Sequence, residues 1–151
     1  MIEILIVFSI VLILGGIGFF LSTSDLQGHL FRSDRDVLVS ALEHARAEAM
    51  ANICRGNNCE GGKDYGVFLD EINHRYVIFQ GSTYDPDSPY NISLEAESNI
   101  NYAFFGLSDH AVVFQAVSGK TFSNGYISLV DSSGRKSQIN INTEGQISWS
   151  S

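Results

Sequence analysis

Hydrophobic positions crowd the start of this chain. From Ile4 to Leu21 there is no charge and a single hydroxyl, Ser9; one acid, Glu3, stands just ahead of the run. An apolar stretch of about 18 residues, rising about 1.5 Å per residue as a helix, is long enough to cross a bilayer. A carboxylate at the border of such a run is costly to bury without a partner. The pattern then changes. Between Asp34 and Ile53 the apolar positions are Val37, Leu38, Ala41, Leu42, Ala45, Ala49 and Met50. Their three- and four-residue spacing predicts an amphipathic helix, with Ser33 or Asp34 as its cap. On that reading Glu43, His44, Arg46 and Glu48 occupy the wet side, spaced to pair along the helix.

From Tyr65 onward the period becomes two. Tyr65–Leu69 and Arg75–Phe79 flank a short polar link and read as a hairpin. Asn91–Leu94, Asn99–Phe105, Ala111–Val117, Gly125–Val130, Lys136–Ile141 and Gln146–Trp149 read as further strands. Asp131–Gly134 and Asn142–Gly145 are turn sequences. The expected fold is therefore α+β. A long N-terminal hydrophobic helix, residues 1–24, continues into an amphipathic helix, 25–53, packed on an antiparallel β-sheet domain, 54–151.

Gly15, Gly16 and Gly18 interrupt the apolar run. Each costs a helix about 1 kcal/mol relative to Ala, which marks a place where the helix can melt. Small residues also let helices pack closely, so both readings stand. A cleaved signal peptide fits poorly. No Lys or Arg precedes the run, the core is long, and Ser22-Thr23-Ser24 makes a weak cleavage site.

The opening word, Met-Ile-Glu-Ile-Leu-Ile-Val, resembles the N-terminal signature of type IV pilins and pseudopilins, whose mature chains begin Phe-Thr-x-Ile-Glu. Met1, Ile2 and Glu3 match the end of that word. The resemblance implies that Glu3 is the assembly glutamate. It further implies that two residues and a short basic leader ending in Gly precede Met1 in the precursor, for a prepilin peptidase to cut. The acid suits a first helical turn, where the helix dipole favours it. In a bundle of like helices it can pair with a neighbour's amino terminus and set the register. The words Asp36–Met50, Tyr65–Asp70 and Ile139–Ile147 narrow the resemblance to the FimT/GspH class, the H-type minor pseudopilins of type II secretion and related minor pilins. In that family the glycine segment can unwind on entry into the filament.

The implied role is that of a structural subunit and not an enzyme. It would assemble with copies of itself or other pilins, cross the inner membrane once before assembly, and then join an extracellular filament or periplasmic pseudopilus. Composition agrees with a small exported domain. Net charge is −8 and the pI about 4.7, which repels phosphate backbones. The alternatives are a DNA-binding minor pilin, for which Arg135 and Lys136 are the one basic candidate, and a membrane-anchored binding domain that never polymerises.

Cys54 and Cys59 frame a short loop after the second helix. A disulfide suits an exported domain; a zinc pair would need two further ligands, and the histidines show no such spacing. No phosphate loop, zinc-protease helix or nucleophile elbow is present, so neither a catalytic residue nor a cofactor or metal is expected. Asp85, Asp87, Glu95 and Glu97 cluster without calcium-loop spacing and read as a solvated acidic loop.

Overall fold

The computed structural model describes residues 2–56, 61–96, 100–107, 110–122 and 124–150, with the side chains of 17–26 left aside. It is α+β. One helix, α1 (Ile2–Met50), precedes eight strands: β1 (Tyr65–Asp70), β2 (Arg75–Gln80), β3 (Ile92–Glu95), β4 (Ile100–Phe105), β5 (Ala111–Phe114), β6 (Gly125–Asp131), β7 (Lys136–Ile141) and β8 (Ile147–Ser150). The chain divides into two compact units, Met1–Ser33 and Asp34–Ser151.

The strands form two sheets where the sequence suggested one. The first has the order β3-β2-β1-β5 and the second β4-β6-β7-β8. Every pairing is antiparallel. The expected β1–β2 hairpin forms, with Tyr65 opposite Gln80 and Asp70 opposite Arg75.

Within the second unit, α1 buries Leu38, Ala41, Leu42, Ala45 and Ala49. These are five of the seven predicted stripe positions, at the spacing of one helical face; Val37 is half-buried and Met50 is exposed. One face of the first sheet buries Tyr65, Val67, Leu69, Tyr76, Ile78, Val112 and Phe114. The second sheet contributes Ile100, Ile127, Leu129, Ile139 and Ile141. Alternation along each strand places these side chains on a common face.

Strand β2 departs from simple alternation, because Tyr76, Val77, Ile78 and Phe79 are all buried. Its second face is covered by the loop that follows. Tyr84 stacks on Phe68 at a centroid distance of 4.2 Å and meets the Phe79 ring edge-on at 5.5 Å. The Phe79 ring lies over Gly66, where an added Cβ would come within 2.5 Å of it. The acidic loop is thus also an aromatic cover. Its acids do local work: Asp85 accepts the Asp87 backbone N–H at 3.0 Å, and Glu95 lies in β3 opposite Arg75. Glu97 lies outside the described residues.

Four further local expectations are corrected. Neither Ser33 nor Asp34 caps a helix, since α1 is already helical there. The helix ends at Met50, not Ile53. Asn52 adopts φ 55°, and Ile53 N–H donates back to the Glu48 carbonyl at 3.2 Å while Asn52 N–H reaches Ala49 O at 3.1 Å. That is the left-handed helix stop for which Asn substitutes for Gly. Glu48 is not on the wet side; its side chain is 7% exposed. Strand β5 stops at Phe114 because the chain turns, with Gly119 N–H donating to Gln115 O and Val117 at φ 67°.

Candidate functional site

The first unit carries the residues to which the sequence assigned assembly. Side chains from Ile2 to Gly16 are exposed on every side of the helix. Ile2, Leu5, Leu12 and Leu14 retain 72%, 71%, 71% and 65% of their accessible surface. A helix that is apolar all round is normally buried. Leaving these side chains bare forgoes on the order of 10 kcal/mol of burial. Glu3 lies in the first turn and is exposed, where the helix dipole favours a negative charge. Among the described residues no helix is long and apolar enough to cross a membrane; the described side chains of the apolar run end at Gly16.

The backbone is helical through Gly15, Gly16 and Gly18. A Cβ built at Gly15 or Gly16 meets nothing within 4 Å. Steric demand inside the single chain therefore does not require glycine at either position.

The helix exit is held by a second group of residues. Cys54 is disulfide-bonded; Cys59 lies outside the described residues. Next to Cys54, the Arg55 guanidinium pairs with the Glu48 carboxylate. Backbone N–H of Arg55 donates to Gln80 Oε1 at 2.6 Å, and Gln80 Nε2 returns a bond to the Arg55 carbonyl at 3.2 Å. Glu48 also faces His44 Nε2 at 3.4 Å. A carboxylate this buried needs a cation beside it, and Arg55 supplies one.

A third group joins α1 to both sheets. Tyr76 of β2 donates to Asp34 Oδ2 at 2.6 Å, and its hydroxyl lies 2.6 Å from that of Tyr102 in β4. Tyr102 is also 3.1 Å from the same carboxylate oxygen. With one proton per phenol, Tyr102 divides its donation between Tyr76 and Asp34. Burial pushes the Tyr76 phenol far above its ordinary value, and the Asp34 carboxylate adds to the rise. Burial likewise raises Tyr102, against the opposing effect of its bond to Tyr76. Both therefore remain proton donors. Sequence reading treated Asp34 only as a cap, because no local signal ties it to tyrosines far along the chain.

The basic candidate lies on the β6–β7 turn. Arg135 Nε donates to Asp131 Oδ2 at 2.6 Å, and its backbone N–H to Oδ1 at 2.8 Å. Desolvation alone would raise the Asp131 carboxyl, but these bonds and the Arg135 charge hold it below the usual range. The Arg135 charge is committed to Asp131, while Lys136 is exposed at the start of β7. Among the described residues no group of three or more His, Cys, Asp or Glu side chains is placed to hold a metal ion.

The described residues of the second unit form concave regions. A cleft of about 900 Å³ runs from Glu43 and Arg46 of α1 to the end of the second sheet, around Gly125, Ile141 and Gln146. A cavity of about 440 Å³ lies beside Phe68, Phe79 and Tyr84. Sequence reading identified neither, because the residues lining each come from segments far apart in the chain.

The fold defines the class of the protein as α+β with two antiparallel sheets. No family model, curated protein or solved structure matches the chain.

Proposed function

We propose that this chain is a structural subunit of a type IV pilin-like filament or of a type II secretion pseudopilus. The observation that carries the reading is the bare apolar surface of α1 from Ile2 to Leu14, headed by a single exposed carboxylate, Glu3. Such a surface requires either lipid or other helices of the same kind. The run from Ile4 to Leu21 would satisfy both in turn. It spans the inner membrane before assembly and packs in the filament core afterwards. Lipid and protein interiors are similarly apolar, so transfer between them gains through close packing and polar pairing. Glu3 would then neutralise the amino terminus of an adjacent subunit and fix the axial register. The sheet-bearing unit, with its acidic surface, would face outward, and energy for extraction would come from a separate motor.

The test is a photo-crosslinking residue at Leu12 in cells that make the filament. Capture of further copies of this chain, or of other pilin-like subunits, is the expected result. A chain that remains uncrosslinked in membranes and in sheared surface fractions would overturn the proposal.

A further inference from the structure

We infer that the cleft between α1 and the end of the second sheet binds a neutral carbohydrate. Its volume, about 900 Å³, lies within the range of small-ligand sites. Glu43 and Arg46 stand three residues apart and so share a helix face. Arg46 is fixed in place, its Nε 3.4 Å from Gly119 O and its Nη2 3.2 Å from Glu144 O. A guanidinium has five N–H groups, so donors remain for a ligand.

On the opposite side, Gly125, Ile141 and Ile147, register partners across β6, β7 and β8, line the cleft. Gly125 is required here because an added Cβ would lie 2.2 Å from the Phe105 carbonyl. Phe105 and Tyr126 also line the cleft and stack at 4.5 Å with an interplanar angle of 21°. Phe105 remains half-exposed.

The unspent polar groups decide the ligand class. Asn124, Tyr126 and Glu43 all line the cleft. None of them makes a side-chain hydrogen bond among the described residues. Together they offer donors and acceptors in near balance, which vicinal hydroxyls match because each hydroxyl both donates and accepts. An anion would meet Glu43 and a net charge of −8. A cation would meet Arg46. A wholly apolar ligand would strip water from the amides without replacing their bonds. A pyranose satisfies the polar groups with its hydroxyls and the aromatic pair with its C–H face.

The test uses the full chain, isotope-labelled, in a zwitterionic detergent that carries no sugar. Chitotetraose, cellotetraose and maltotetraose are titrated in turn, and an uncharged tetrapeptide serves as a further probe. At least one sugar is expected to give saturable shifts at the backbone amides of 124–126 and 140–142. Glu43→Ala and Asn124→Ala, both at exposed positions, are each expected to weaken binding by about tenfold, the effect of one hydrogen bond. Three outcomes overturn the inference: no saturable shift with any of the sugars, shifts unchanged in both variants, or saturation of these amides by the peptide alone.

Discussion

Tyr76 and Asp34 are joined by a 2.6 Å hydrogen bond between two buried side chains 42 residues apart. The phenol belongs to the first sheet, the carboxylate to α1, and Tyr102 of the second sheet completes the group. Tyr76→Phe should destabilise the domain by about 1–3 kcal/mol, because a buried carboxylate loses a donor while the ring volume stays. Tyr102→Phe removes the longer bond to Asp34 and the contact with Tyr76 but leaves the Tyr76 donation to Asp34 in place, and should cost less. Urea midpoints of the two variants check the order; equal midpoints for Tyr76→Phe and the parent chain would refute it.

Acid sensitivity should follow two of the carboxylates paired with arginine, Asp70 and Asp131. Burial pushes Asp70 up, but bonds from Asn73 and Arg75 outweigh it and hold the group low; Asp131 is held low by Arg135. A depressed folded-state value adds stability that is fully present above the unfolded value, near 3.9. That stability is lost as pH falls through the folded value. Unfolding followed from pH 7 down to about pH 2 should therefore show a loss below about pH 4. The loss should be shallower in Asp70→Asn with Asp131→Asn. A double variant whose acid limb matches that of the parent chain would count against this assignment.

The cysteine pair is open to a mass measurement. If Cys54 is bonded to Cys59, the intact chain should gain two hydrogens on reduction and accept no alkylating agent beforehand. Closing so short a loop restricts the unfolded chain by about 2 kcal/mol. Reduction should lower the melting temperature accordingly and loosen the Arg55 contacts to Glu48 and Gln80. Two alkylatable thiols in the native protein would exclude the bond.

On the proposed role, Glu3→Ala should leave the chain in the membrane and suppress filaments, since the apolar area is kept while the charge proposed to set the register is removed. Pelleted filament yield against membrane-fraction content reads both halves of the expectation. Wild-type yield from the variant would remove Glu3 from the assembly mechanism.

The glycines invite a comparison between the single chain and the filament. In the single chain the backbone is helical through Gly15, Gly16 and Gly18. On the proposed role lipid would enforce this before assembly, because a broken backbone bond there costs several kcal/mol. In a filament, neighbouring chains can shelter freed groups, and glycine accepts the dihedrals that result. A backbone-resolved filament map should show the segment loosened, lengthening from about 1.5 Å toward roughly 3.3 Å per residue. A continuous helix from Ile4 to Leu21 in that map would instead make the glycines close-packing contacts.

What the sequence by itself determined was local. The three- and four-residue spacing from Leu38 to Ala49 predicted the buried face of α1, and the alternation around Tyr65–Phe79 predicted the hairpin. Helical and strand periods are written in neighbouring residues, so a sequence displays them directly. Tertiary structure decided what depends on distant partners. Antiparallel strand patterns look alike whichever neighbour they adopt, so the division into two sheets was not legible. Asp34 reads as a cap and Glu48 as a wet-side acid until Tyr76, Tyr102 and Arg55 are brought against them. Tyr84 reads as part of a polar loop until it lies on Phe68. The cleft likewise exists only once Glu43 of α1 and the turn beyond Ile141 come together. Burial of a polar side chain depends on which segments cover it, and chain folding, not local spacing, sets that.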